Sequence, residues 1–335
     1  MARVAVVFTG GTISMRLDPA TGAAVPALSG QEILDHVPGL AAIAEVEGED
    51  VSRLPGPHVT PEHMWRLARR AAAWLERPDV QGLVVTHGTD TLEETAYLLD
   101  LLLLSEKPVV IVGAIRTISE AGWDGPANLL AAVRVAAAPE SHGRGVLVVM
   151  NEQILTASEA QKIHTESAGS FASPEFGPVG VLDAGKVLFV RRATRHGAWT
   201  GAGADTGLRV ARLETTVDLV KSAAGADDRF LRCSLAAGAT GIVIEAMGRG
   251  NLPPAMKPGI EAAAAAGVPV VLASRYGAGS VQERYGYEGG GHDLAQLGVI
   301  FAGRLNGLKA RMKLMVALAC TRDPERLAAI FAETN

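Results

Sequence analysis

The sequence predicts a two-domain α/β protein. A larger N-terminal domain has a mostly parallel sheet with helices on both faces plus a β-hairpin, and a smaller C-terminal domain is parallel α/β. Three observations carry this. Short, continuously apolar runs at residues 3–8, 82–85, 109–112 and 146–150 have the pattern of strands buried on both faces. Each ends in glycine or polar residues, and helical patterns lie between them, which is the β-α rhythm of a parallel sheet. Finally, a stretch rich in Gly, Ala, Thr and Arg at residues 191–208 interrupts the rhythm before a second β-α series begins. The expected boundaries are therefore 1–190, a linker at 191–208, and 209–335; a length of 335 residues suits two domains better than one.

Composition narrows the function. Nearly half of the residues are apolar, enough for a substantial core, and the formal net charge of −5 argues against a basic nucleic-acid surface. Only Cys233 and Cys320 occur, both among apolar neighbours, so a disulfide framework is excluded and two buried free thiols are expected. The N-terminal apolar run is too short for a signal h-region and no cleavage site follows it. The run from Leu98 to Leu104 is interrupted by Asp100 and is far short of a membrane span. The cytoplasm is the expected compartment.

The first strand ends in Thr9-Gly10-Gly11-Thr12-Ile13-Ser14, where paired glycines let the backbone turn tightly and aim N–H groups at a polar ligand. The spacing is neither G-x-G-x-x-G nor a P-loop, and taken alone Thr12 reads as a turn threonine. Residues 15–30 show no periodicity and are expected to form a mobile loop. Ser29-Gly30-Gln31-Glu32 is a capping box that opens a helix through Ile33, Leu34 and Val37. Leu54-Pro55-Gly56-Pro57-His58 is a rigid turn. Thr60-Pro61 then supplies the N-cap and first-turn proline of a helix through Met64, Leu67, Ala71 and Leu75.

The strand at 82–85 runs into the polar knot Thr86-His87-Gly88-Thr89-Asp90-Thr91. Thr91 and Glu94 read as a capping box for a helix with Leu92, Ala96, Leu99 and Leu103 on one face. Gly88, Thr89 and Asp90 exceed what a turn needs, at the strand end where open α/β sheets hold ligands. The strand at 109–112 ends in Gly113-Ala114, and Pro126 opens a helix through Leu129, Leu130 and Val133. Residues 151–177 are polar and irregular; their Lys162 reads locally as a solvated charge. Residues 179–182 and 186–190 form a hairpin through Asp183-Ala184-Gly185. In the second series, a strand at 241–245 leads into Gly248-Arg249-Gly250-Asn251, a helix covers about 258–266, and a strand at 268–273 ends at Ser274-Arg275. A glycine-dense loop with Glu283, Tyr285, Tyr287 and Glu288 follows, then helices at 308–319 and from Asp323-Pro324.

Three strand ends of one parallel sheet thus place Thr12, Thr89-Asp90 and Gly113-Ala114 on one side of it. Two hydroxyls, a carboxylate and glycine N–H groups suit attack on a polarised carbonyl, with oxyanion donors around Gly11 and Gly88-Thr89. The hydroxyl needs a base. His87 is one candidate, although a structural imidazole is an equal reading there; a lysine drawn into the site is another. The histidines show no H-E-x-x-H or Cys/His ligand spacing and there is no G-x-S-x-G elbow, so no metal is expected. The residues by themselves reach a threonine-based hydrolase or acyl transferase of a small polar substrate.

Taken together, Val6-Val7-Phe8-Thr9-Gly10-Gly11-Thr12-Ile13-Ser14 and Gly82-Leu83-Val84-Val85-Thr86-His87-Gly88-Thr89-Asp90-Thr91-Leu92 resemble the two signatures of bacterial-type L-asparaginases. Glu93-Glu94-Thr95-Ala96-Tyr97, Lys107-Pro108-Val109-Val110, Val112-Gly113-Ala114 and Asp124-Gly125-Pro126-Ala127-Asn128-Leu129 continue the match. So do residues 145–151, Lys162 and Gly250-Asn251-Leu252, and the resemblance covers nearly the whole chain. It implies hydrolysis of L-asparagine to aspartate and ammonia, without cofactor or metal. It makes Thr12 the nucleophile of an acyl-enzyme, and Thr89, Asp90 and Lys162 the set that shuttles protons and holds substrate. Asp90 would meet the substrate ammonium and the Ala114 carbonyl would lie near the scissile amide, which reverses the local readings of Thr12 and Lys162. Gly11, Gly56, Pro57, His58 and Gly88 would complete the binding surface, with the Asn251 turn or the loop around Glu283 supplied by a neighbour. The resemblance further implies a homotetramer of tight dimers with sites between the N-terminal domain of one subunit and the C-terminal domain of the next; from charge and hydropathy, no nucleic-acid or membrane partner is expected.

Three departures stand out. The family usually has a tyrosine in its mobile lid, whereas the first tyrosine here is Tyr97. Gly56-Pro57-His58 stands where the family often has a Ser-Gln or Ser-Ser pair, and either Glu283 or Glu288 could be the neighbour's acid. His58, Tyr285 or Tyr287 are the candidates to replace the lost contacts. The competing functions are an amidohydrolase on L-glutamine or D-asparagine, and a non-catalytic amino-acid sensor on the same scaffold.

Overall fold

The computed structural model describes residues 1–192 and 207–332. They form two compact units, residues 1–192 with 207–208, and residues 209–332. Apart from its ends, the expected linker at 191–208 lies outside the described residues.

Along the first unit run β1 (Ala2–Gly10), the short hairpin β2 (Met15–Leu17) and β3 (Ala24–Pro26), α1 (Gly30–Asp35), β4 (Ala44–Leu54) and α2 (Pro61–Glu76). Then come β5 (Gly82–Thr86), α3 (Leu92–Leu102), β6 (Val109–Val112), α4 (Gly125–Ala137), β7 (Val146–Met150) and β8 (Gln153–Thr156). Two hairpins close the unit: β9 (Gln161–Lys162) with β10 (Phe171–Ala172), and β11 (Gly180–Asp183) with β12 (Lys186–Phe189). The main sheet has the order β12-β11-β8-β7-β6-β5-β1-β4, parallel from β7 to β4 and antiparallel from β7 to β12.

Every residue of β5, β6 and β7 is buried, so both faces of the sheet are covered; α4 lies along β1, β5, β6 and β7, while α2 packs on β5 and α3. The order also fixes where a ligand can sit. From β1 the chain leaves to one side, to β4, and from β5 it continues to the other, to β6, although β1 and β5 are paired neighbours. The loops after these two strands therefore part at their carboxyl ends and leave a crevice between them.

The second unit holds the all-parallel sheet β13 (Val217–Lys221), β14 (Gly241–Ala246), β15 (Val270–Ser274) and β16 (Ile300–Asn306), in that order. Helices α5 (Arg229–Ala236), α6 (Lys257–Ala265), α7 (Gly291–Ala295), α8 (Gly307–Cys320) and α9 (Pro324–Ala332) accompany it. Its core gathers Leu231, Ile242, Ile244, Met256, Ile260, Leu272 and Leu294.

Several expectations need correction. Residues 44–54, with no element assigned from the sequence, form the edge strand β4; its Glu45, Glu47 and Glu49 follow from one edge of that strand having no partner, where charges block further pairing. The region 15–30 is not a structureless loop, because β2 and β3 pair within it. The expected irregular stretch 151–177 contains β8, β9 and β10. Neither cysteine is fully buried: Cys233 is exposed and Cys320 half-buried. In α5 Leu231 takes the inner face, and Cys233, two positions and so about 200° further round the helix, points away from it whatever its sequence neighbours are.

Candidate active site

The crevice between β1 and β5 is built from glycines in backbone contact. Gly11 has φ +82°, and a Cβ there would fall 2.4 Å from Gly88 Cα. A Cβ on Gly88 would lie 2.6 Å from Gly56 Cα, and one on Gly113 would lie 2.9 Å from Thr89 Cγ2. Any side chain at these positions would wedge the loops after β1, β4, β5 and β6 apart, which explains why these four loops at one end of the sheet each carry glycine.

Polar side chains then lock the loops. Thr9 Oγ1 donates to Thr86 O at 2.7 Å and Ser52 Oγ donates to Thr9 O at 2.8 Å, tying β1 to both neighbours. After Gly11 the chain makes a single 3₁₀ turn, Thr12–Ser14, closed by Ser14 Oγ donating to Gly11 O at 2.8 Å. Thr12, half-buried, stands at the start of that turn. Of the N–H groups expected around Gly11 as oxyanion donors, that of Gly11 itself is engaged: it donates to Leu54 O at 3.0 Å and holds the Gly56 turn. Among the described residues, no acceptor meets the N–H groups of Gly88 and Thr89.

Lys162 is drawn to the same end. Its Nζ donates to Thr89 Oγ1 at 2.9 Å and to Asp90 Oδ1 at 2.7 Å, across more than seventy residues of chain. The hairpin of β9 and β10 carries it, with Lys162 paired to Phe171. Thr89 is buried, Asp90 exposed and Lys162 in between, so the relay runs from the floor of the crevice outward.

The remaining positions sort clearly. Gly56, Pro57 and His58 form a short 3₁₀ turn in which Gly56 is buried against Asp90 while Pro57 and His58 are exposed. Ala114 is fully buried after β6. Asn251 and Glu283 belong to the second unit, where the Asn251 Oδ1 is buried without a partner and Glu283 accepts from His292 Nδ1 at 2.8 Å. Tyr97 is fully buried in α3, so the first unit's one tyrosine cannot serve at the crevice.

His87 is structural and not the base. Its Nδ1 donates to Gly88 O at 2.9 Å, so Nε2 accepts from Thr95 Oγ1 at 3.0 Å, and both ring nitrogens are spent on holding the turn to α3. Burial pulls its pKa down to about 4, only partly offset by the Gly88 carbonyl, and keeps it neutral. The expected capping box of α3 is absent as well: Thr91 makes no side-chain cap, and its Oγ1 instead donates to Gly56 O at 2.9 Å. The crevice turn outcompetes the cap for that hydroxyl.

Sequence reasoning missed one further set. The Asp124 carboxylate accepts from Ile115 N and Arg116 N at 2.9–3.1 Å and from Asn128 Nδ2 at 3.0 Å, while Asn128 Nδ2 also reaches Gly113 O at 3.1 Å. These two residues fix the chain on either side of Ala114. Their i, i+4 spacing at the start of α4 was the available signal.

The family described as "Asparaginase, N-terminal" matches residues 3–195, and that described as "Glutaminase/Asparaginase C-terminal domain" matches residues 216–331. The chain belongs to the asparaginase family. It is 39% identical to a probable L-asparaginase of Deinococcus radiodurans, over 99% of this chain and 98% of the relative. It is 35% identical to an L-asparaginase of Bacillus licheniformis, over 96% and 97%. A crystal structure of a probable cytoplasmic L-asparaginase from Campylobacter jejuni is 32% identical, covers 99% of both chains and superposes with a TM-score of 0.87. As an asparaginase-family protein the chain is an amidohydrolase, acting on amides. Within this family member no helix among the described residues is long and apolar enough to cross a membrane.

Proposed function

We propose that this chain hydrolyses L-asparagine to L-aspartate and ammonia through an acyl-enzyme on Thr12. The observation that carries the proposal is the Lys162 ammonium, bonded to both Thr89 and Asp90 at the strand ends beside Thr12. The ion pair with exposed Asp90 would by itself hold Lys162 at the rim; its second bond, to the buried Thr89 hydroxyl, is the contact a proton relay needs.

In the proposed sequence, Thr12 Oγ attacks the side-chain amide carbon of asparagine and gives up its proton, which passes to the leaving nitrogen. The Gly88 and Thr89 N–H groups supply the oxyanion donors. Ammonia departs and leaves an aspartyl ester on Thr12. A water then attacks the ester carbonyl: its proton goes to Thr89 Oγ1 as the Thr89 hydroxyl proton moves to Lys162 in its neutral amine form, the ester C–O bond breaks, and the Thr12 oxygen takes a proton back from this relay as aspartate is released. Asp90 holds Lys162 in place through Oδ1 and offers its second oxygen to the substrate ammonium. The Ala114 carbonyl faces the amide nitrogen, while Gly11, Gly56, Pro57 and His58 shape the carboxylate end.

The same proposal assigns Asn251 and Glu283 to the site of an adjacent subunit, in a homotetramer of tight dimers, and needs no cofactor. The cytoplasm is the proposed compartment; the similar C. jejuni protein is described as cytoplasmic. A second reading, hydrolysis of L-glutamine as well, is favoured by relatives named glutaminase-asparaginase in Pseudomonas fluorescens and Pseudomonas aeruginosa, 31% and 32% identical.

Ammonia release from L-asparagine, L-glutamine and D-asparagine tests both. We expect turnover fastest with L-asparagine, and Thr12→Ala to lower kcat by roughly a thousandfold or more. Release that survives Thr12→Ala would remove Thr12 as nucleophile; no release from any amide, with asparagine still raising the melting temperature, would make the protein a binder.

A further inference from the structure

A cavity of about 550 Å³ opens beside Arg144, Thr156, Leu147, Val179 and Arg192, where β7 begins and β8 ends. The parallel strands start at this end of the sheet and the Thr12 crevice lies at the other, so the cavity is separate from the proposed active site.

Arg144 is held ready within it. Its guanidinium stacks 3.7 Å from the centre of the Phe189 ring, Nε donates to Glu140 O at 2.7 Å, and Nη1 donates to Arg191 O at 3.3 Å. Backbone carbonyls and an aromatic face thus fix the group without neutralising it. Among the described residues neither Arg144 nor Arg192 has an ion pair, and Arg144 Nη2 has no acceptor. The contrast is next door: Arg191 is paired with Glu159. Burial, and then the charge of Arg192, push the Arg144 pKa below its ordinary value, as expected for a cation whose counter-charge is missing. Glu140 lines the cavity too, but it meets Arg144 through its carbonyl and its side chain is exposed.

We propose that this cavity binds a small oxyanion, a phosphate or carboxylate group on an apolar body, between the Arg144 and Arg192 guanidiniums. An anion recovers the cost of a half-buried, unpaired guanidinium and can take the open donor edge of Arg144. Leu147 and Val179 give an apolar body a wall, and the volume falls in the range of small-molecule sites, roughly 300–1,000 Å³.

Calorimetric titration of the full chain with inorganic phosphate, phenyl phosphate and benzoate tests the proposal. We expect saturable binding of phenyl phosphate or benzoate, tighter than inorganic phosphate. Arg192→Glu, at an exposed position, should weaken it at least tenfold while ammonia release stays unchanged. Arg144→Lys, which keeps the charge and loses the fork, should weaken it as well. Phenyl phosphate binding above benzoate assigns a phosphate ligand, and the reverse order a carboxylate. No saturable binding of any probe, or binding that Arg192→Glu leaves unchanged, overturns the proposal.

Discussion

His164 shows how a single exposed side chain can govern the proposed chemistry two residues away. Its Nδ1 accepts from the N–H groups of Glu166 and Ser167, both at 3.0 Å, which puts the ring proton on Nε2. The strands β9 and β10 contribute only two residue pairs, so the turn beyond them depends on such local bonds to hold Lys162 in place. Replacing His164 by Ala should lower kcat about tenfold with KM nearly unchanged, because a misplaced Lys162 slows proton transfer rather than binding. His164→Asn, whose side-chain oxygen can accept from the same two N–H groups, should restore the rate to within about threefold. The melting temperature should move by no more than about 2 °C in either variant, since the position is exposed. Equal rates for the Ala and Asn variants would mean that the ring does not position Lys162.

At the scale of elements, the hairpin of β2 and β3 leaves directly from the Thr12 turn and is fastened at its far side. Leu17 N donates to Ser119 Oγ at 3.0 Å and Ile118 N to Met15 O at 3.2 Å. An exposed hydrogen bond of this kind contributes about 1 kcal/mol. Ser119→Ala should therefore lower kcat/KM for asparagine roughly fivefold and speed proteolytic cleavage in residues 18–23, the tip between the two strands. Unaltered proteolysis would show that the backbone bond from Ile118 suffices. The hairpin contains no tyrosine, and Tyr97 is sealed in α3, so no phenol of the first unit serves at this turn.

At the scale of the whole molecule, His87 couples the fold to pH. Its folded-state pKa of about 4 lies below the ordinary 6.5, so the unfolded chain binds a proton more readily than the folded one. Stability from this group is complete above about pH 6.5 and falls as the pH drops towards 4, by at most on the order of 3 kcal/mol. Denaturant melts at pH 7, 5.5 and 4.5 should show this decline, and His87→Gln, which cannot titrate, should flatten it. An undiminished slope in that variant would place the acid sensitivity in other groups.

By itself, the sequence determined the buried parallel strands β1, β5, β6, β7, β14 and β15, the two capped helices α1 and α2, and the excess of polar residues at Thr89 and Asp90. All of these depend on short-range pattern: apolar runs for doubly buried strands, Ser29 and Thr60 for helix starts, and polar residues in excess after β5. The tertiary structure alone decided the rest. It made β4, whose charged sequence hides a strand, the sheet edge, and it took Thr91 from the helix cap for the Gly56 carbonyl. It also spent the Gly11 N–H on Leu54 and neutralised His87 by burial. Most tellingly, Lys162 reads locally as a solvent charge, and its bonds to Thr89 and Asp90 span more than seventy residues. Residue pattern reports what a segment can form; which partner a donor finds depends on strand order, and in this chain that order brings four glycine turns and one distant lysine to a single end of the sheet.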